Sequence, residues 1–278
     1  FKQKTAYEML RSLVGSEMCI RDSCYWGPLA GAASSEWIVR SLVLTMSEPD
    51  APELILGYLP HLDYALQRYG PNSSRSRRAL ERVRFWIESL EATARTRGYA
   101  ILIFGDYAIT SVNGEAIFPN RALREAGLLS VHSVRGRLYP DLAGSGAFVV
   151  ADHEIALLYA RDAATLARAR DVLATLAGVA EIRPPPSIPA AAAHTAPDAI
   201  LLAETGRWFA YPWWAHATEA PDFAAHVDIH NKPGYDPCEL FFGFPPPRVS
   251  ADTTRIRGTH GRAGPQRRVA WATSAPLQ

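Results

Sequence analysis

A chain of 278 residues that is 48% hydrophobic and 21% charged has the composition of an ordinary globular protein of one large or two modest domains. Its formal net charge of +1 gives no electrostatic footprint for nucleic acid or an anionic membrane, and no apolar run reaches the roughly 18–20 residues that span a bilayer. The three cysteines, Cys19, Cys24 and Cys238, are too few and too scattered for a disulfide framework or a zinc knuckle.

Taken in chain order, residues 1–23 serve no pattern downstream. KQKTAYE resembles the translation of a sequencing flow-cell primer, and LVGSEMCIRDS that of a transposase adapter in the same frame. The segment is therefore treated as a scar outside the fold, with natural coding sequence expected from about Cys24. CYWGPLAGAASSEWIVRSLVLTM reads as a loop and an amphipathic helix, with Ser34 or Ser35 as its cap. ELILGYL, Glu53 to Leu59, is a short apolar run of the kind a buried strand shows, and Asp63 follows where that strand should give way to a loop.

The next stretch, NSSRSRRALERVRFWIESLEATARTRGY, predicts a long helix. Leu80, Val83, Ile87, Leu90 and Ala94 share one face, arginines fill the other, and Gly98 stops it. YAILIFGDYAI, Tyr99 to Ile109, predicts a second buried strand ending at Gly105 and Asp106. Strand, helix and strand together predict a βαβ unit and a parallel sheet. GAFVVAD and EIALLYA predict a hairpin through Asp152 and His153, and ATLARARDVLATLAGV a helix closed by Gly178. Arg183 to Pro197 is a proline–alanine loop and the expected edge of a subdomain; AILLAE, RWFAYPWW and RRVAWAT predict further strands. The alternation in RWFAYPWW favours core packing over a stacking platform.

HLDYALQRYGP, FGDYAI and RGTHGR carry the chemistry. The first is similar to a PDxxGHxxGP motif of the type I phosphodiesterase/nucleotide pyrophosphatase family of the alkaline phosphatase superfamily, matching it at Asp63, Gly70 and Pro71. It departs at Gln67, where the family has a metal-binding histidine. FGDYAI resembles the family's Asp-His pair, with Asp106 matching and Tyr107 in place of the histidine. RGTHGR matches the GTHG element, with His260 in the ligand position. Further stretches, among them YWGPLAG, FPNRALREAGLL, FVVADHEIALLYA and DIHNKPGYDPCELFF, resemble a divergent bacterial subgroup in which Gln67 and Tyr107 are usual. Between Phe244 and Ile256 the chain is shorter than the family.

The resemblance implies a three-layer α/β/α sandwich with a mostly parallel sheet, its N-terminal part missing. Residues 24–278 would form a partial catalytic domain, with about 140–240 as an inserted cap or lid. It implies two divalent metal ions, expected to be zinc, roughly 4 Å apart and clamping an in-line displacement at phosphorus. Asp63, Asp106 and His260 are the expected ligands, His61 and His230 the candidate replacements for the missing histidines, and Gln67 and Tyr107 would touch substrate or support the ligands. Each has a plainer reading: Asp63 as a capping carboxylate, Asp106 as a turn residue, His260 and His230 as turn histidines, His61 as a backbone hydrogen-bonder. No catalytic nucleophile is assigned, because in the family the attacking Thr or Ser lies upstream of the segment resembling YWGP. The expected function is a metal-dependent phosphodiesterase or phosphatase, inactive as truncated. The alternatives are a non-catalytic binding or scaffold member and a phosphomutase. A small phosphate ester is the expected partner, without nucleic acid or membrane; the chain is expected to be soluble, with the cytoplasm favoured over other compartments and the oligomeric state open.

Overall fold

A computed structural model describes residues 24–186, 196–228 and 230–275. The expected scar and most of the proline–alanine loop lie outside the described residues. The first helices with both ends among the described residues are α1 (Ala32–Ser47), α2 (His61–Tyr69) and α3 (Ser74–Arg97). α3 begins on Ser73, whose hydroxyl accepts from the Ser76 N–H, and stops at Gly98 in the left-handed conformation. Its inward face is rotated slightly from the expected one, burying Ala79, Trp86 and Ala94 while Leu80 turns outward. Neither expected serine caps α1, which starts after Gly31. Ser35 is buried instead and accepts from the His61 N–H at 3.1 Å, joining α1 to α2.

The predicted strand Glu53–Leu59 is not formed. The segment pairs with no strand among the described residues, and Leu54 and Leu56 are 74% and 84% exposed. Of the second predicted strand only β1 (Leu102–Phe104) remains, and the expected βαβ unit and parallel sheet are absent among the described residues. Among the described residues no strand pairs with Glu53–Leu59 to complete a ladder, so burial does not follow. The sheets that do form are antiparallel. β1 pairs with β10 (Trp271–Thr273), and β2 (Thr110–Ser111) with β9 (Gly258–Thr259). β3 (Ser130–Val134) pairs with β4 (Arg137–Asp141).

The largest sheet holds β5 (Ala147–Asp152), β6 (Ile155–Ala160), β7 (Val179–Arg183) and β8 (Ala199–Ala203) in the order β5-β6-β8-β7. α5 (Ala163–Ala174) crosses from β6 to β7, and α4 (Pro119–Glu125) lies against β5. The alternation of β5 sends Val149 and Ala151 into a core completed by Leu158, Leu173, Leu201 and Leu123. Trp208, Phe209 and Trp213 are buried, as the core reading of RWFAYPWW requires, although that stretch makes one isolated bridge, Phe209 with Ile117, and not a strand.

The open edge of β5 is satisfied by side chain and loop. Buried Asn120 on α4 donates to the Val149 carbonyl at 2.7 Å and accepts from its N–H at 2.8 Å. Farther along the same edge, Ala151 pairs with the loop at Gly234: its N–H donates to Pro233 O, and Tyr235 N–H donates to its carbonyl. Gly234 has φ +119, and a Cβ there would lie 2.1 Å from the Ala151 oxygen, so only glycine allows this approach. Gly258 does the same for the far end of the chain. A Cβ would meet the Leu66 carbonyl oxygen at 2.3 Å, and without one β9 lies directly on α2, with Arg257 N–H donating to Gln67 O.

Candidate functional site

HLDYALQRY folds as helix α2, so Asp63 sits in a first helical turn and not at a strand end. The i,i+4 spacing places Gln67 over Asp63, and the Gln67 Nε2 donates to Asp63 Oδ2 at 2.8 Å. Gln67 Oε1 accepts in turn from the Tyr235 hydroxyl at 3.1 Å. Gln67 is buried, so its amide is fixed between these two partners. The other carboxylate oxygen, Asp63 Oδ1, is buried and makes no hydrogen bond.

The loop after β1 brings Tyr107 to the same carboxylate, with Tyr58 beyond it. The Tyr107 ring stacks on His260, centroids 3.6 Å apart and planes within 9°. His260 is covered on its other side by His153, centroids 3.9 Å apart, and His153 lies 4.7 Å from Tyr235. The contacts close into a ring: Asp63, Gln67, Tyr235, His153, His260, Tyr107 and back to Asp63.

Among the described residues Asp63 makes no ion pair. Burial lifts its carboxyl to about 6, against the opposing effects of Gln67 and Tyr107, and the nearby Asp106 raises it further. His260 is held neutral: burial, then the Arg267 guanidinium, lower it to about 4. Burial also takes His153 well below the usual histidine range and raises the phenols of Tyr58, to about 12, and Tyr107.

A buried ionic cluster holds the Tyr235 loop. Lys232 Nζ contacts Asp236 Oδ2 at 3.2 Å and a carboxylate oxygen of Glu239, and also donates to the His226 carbonyl at 3.1 Å. Glu239 in turn accepts from the Trp26 indole and from Asp228 N–H.

The structure thus brings Asp63, Gln67, Tyr107 and His260 together. Asp106 is exposed at the rim, near enough for its charge to act on Asp63. His61 and His230 lie elsewhere. The His61 ring stands edge-on to Trp86 at 5.5 Å, and His230 is exposed, its N–H on Asp228. Sequence reasoning passed over His153, Tyr235 and Tyr58. His153 read only as a hairpin turn, and Tyr235 carried one signal, the preceding Gly234.

A buried carboxylate and a neutral imidazole among phenols, on a mixed α/β frame, define a site for acid–base or ion-assisted chemistry. The chain belongs to the type I phosphodiesterase/nucleotide pyrophosphatase family, whose model matches residues 9–236; His260 lies beyond the matched segment. Solved structures similar to the chain include murine ectonucleotide pyrophosphatase/phosphodiesterase 5, at 14% identity over 83% of this chain and 53% of that one, with a TM-score of 0.45. Phosphonoacetate hydrolase from Sinorhizobium meliloti, in complex with phosphonoformate, is similar at 16% identity over 74% and 47%, with a TM-score of 0.44. The chain spans about half the length of these solved proteins. No curated protein matches the sequence.

The family is one of nucleotide pyrophosphatase- and phosphodiesterase-like hydrolases that generally use divalent metal ions. The residues present do not fit a pair of ions. Among the described residues no three His, Cys, Asp or Glu side chains assemble as a metal site. The two histidines expected from the family are an amide committed to hydrogen bonds and a phenol stacked on His260. What remains for a single ion is an unpartnered carboxylate oxygen on Asp63 and a neutral imidazole at His260.

Proposed function

We propose that this cluster is part of the ester site of a hydrolase acting on small phosphodiesters or phosphomonoesters. One observation carries the reading: Asp63, Tyr107 and His260, from three separate motifs, meet in one ring of contacts. The proposal includes metal dependence with a single divalent ion, zinc being the first candidate, on Asp63 and His260. If bound there, such an ion would supply Lewis-acid polarisation of a phosphoryl oxygen. In this reading Gln67 fixes the Asp63 carboxylate, Tyr235 fixes Gln67, and Tyr107 covers the His260 ring and excludes water from it. The attacking hydroxyl is proposed to come from sequence outside this chain, so the chain alone should not turn over.

The test uses the full-length gene product with a diester, bis(4-nitrophenyl) phosphate, and a monoester, 4-nitrophenyl phosphate, in zinc and in manganese. Asp63→Asn and His260→Ala should each lower turnover 100-fold or more and lose bound metal. Full activity in both variants overturns the reading.

A second reading, a non-catalytic binding member, is favoured by the commitment of Gln67 to Asp63 and Tyr235. AMP, the ligand carried by an inactive variant of the murine protein, is the probe. Binding of AMP that Asp63→Asn weakens, with no hydrolysis of either ester, would favour that reading. Product analysis separates hydrolysis from phosphoryl transfer within the substrate, as a phosphomutase would give.

A further inference from the structure

Among the described residues two hairpins turn on two residues, and they differ in burial. The β3–β4 turn, Arg135–Gly136, is exposed, with φ +52 and +80. The β5–β6 turn is His153–Glu154, with both residues buried, 1% and 0% exposed, and His153 at φ +54. A left-handed residue with a β-carbon opens both turns, and such conformations persist where surrounding structure enforces them.

The enforcement here is the loop that carries His260. Glu154 N–H donates to the His260 carbonyl at 2.7 Å. Arg267 grips both Glu154 oxygens, at 2.7 and 2.8 Å, and Arg262 N–H adds a third bond at 3.2 Å. The turn's own carbonyls are taken as well, His153 O by Phe209 N–H and Glu154 O by Ala203 N–H. Packing does not require an imidazole at this turn. The His153 Nε2 is buried with no partner, and Nδ1 has only Thr259 Oγ1 at 3.5 Å. What the ring does contact is His260 on one side and Tyr235 on the other.

We propose that His153 is a positioning residue, the back wall that presses the His260 imidazole against Tyr107. The inference rests on the reading of His260 as a site residue, but its geometry can be tested separately. Glu154 anchors the backbone of the His260 loop; His153 sets the ring.

The experiment is histidine side-chain NMR of this chain. His260 lies over the face of Tyr107, so cross-relaxation between their ring protons, to which the His153 ring does not contribute, reports the stack. His153→Asn, chosen because asparagine tolerates the left-handed region, should weaken those His260–Tyr107 cross-peaks and move the His260 resonances. If His153→Asn folds and the His260–Tyr107 cross-peaks keep their strength, His153 merely fills space and the proposal is overturned. Should His153→Asn fail to fold, Tyr235→Leu decides. It removes the ring behind His153, and unchanged His260–Tyr107 cross-peaks would again overturn the proposal. Neither result touches the ester reading, which fails separately if His260→Ala is fully active in the whole protein.

Discussion

Asp63 is the residue at which stability and function pull apart. Its carboxyl is raised from 3.8 to about 6, chiefly by burial, so between those values the folded state holds more protons than the unfolded one. The stability contributed by the protonated form is fully present below pH 3.8 and is lost as pH rises through about 6. Above that the folded protein carries an unpaired buried charge costing on the order of 2–3 kcal/mol. Asp63→Asn, measured by urea denaturation with chelator present, should therefore stabilise the chain by about that amount at pH 8 and little at pH 4. His260 runs the other way: lowered from 6.5 to about 4, its contribution is present above 6.5 and lost as pH falls through about 4. His260→Phe should flatten the acid limb of the same stability profile, while an unaltered acid limb would show that the ring is solvated. Asp63, Asp106 and His260 stood out in the sequence because the short stretches around them resemble family motifs. His153 was not, since a turn histidine in DHEI carries no sign that the turn is buried. Whether Gln67 and Tyr107 damage or remake the site was also not legible, because that depends on which atoms they face.

Among the elements, local patterns were more reliable than pairings. The long helix, the β5–β6 hairpin and α5 were readable from periodicity, capping residues and turn glycines, all properties of contiguous sequence. The strand Glu53–Leu59 failed because an apolar run specifies extended, buried structure only when a partner strand completes its ladder. This has a measurable consequence: Leu56→Lys, at a position 84% exposed, should change the stability of this chain by less than about 0.5 kcal/mol. A loss of several kcal/mol in a melt would show that Leu56 is packed. The Tyr235 loop behaves oppositely. Lys232, with its side chain 1% exposed, neutralises part of the charge of Asp236 and Glu239. Lys232→Met should then destabilise by about 3–5 kcal/mol by leaving two buried carboxylates unpaired. A chemical-denaturation midpoint equal to wild type would contradict that.

At the scale of the molecule, a ring of side chains is drawn together from helix α2, the loop after β1, the β5–β6 turn, the Gly234 loop and the GTHG segment. Two glycines, Gly234 and Gly258, allow the last two to close on the rest. The same molecule leaves Leu54 and Leu56 in solvent, and on the two-stranded β1–β10 ladder Leu102, Phe104 and Trp271. The mixed α/β class was legible in the alternation of helical and apolar runs; the antiparallel pairing was not, because pairing partners lie far apart in sequence. The central claim is that Asp63 and His260 belong to one phosphoric-ester site. It is tested most directly by hydrolysis of bis(4-nitrophenyl) phosphate by the full-length protein and its Asp63→Asn and His260→Ala variants, with zinc supplied and then chelated. The account predicts metal-dependent turnover that falls 100-fold or more in each variant. Turnover that is indifferent to both substitutions and to chelation would contradict it.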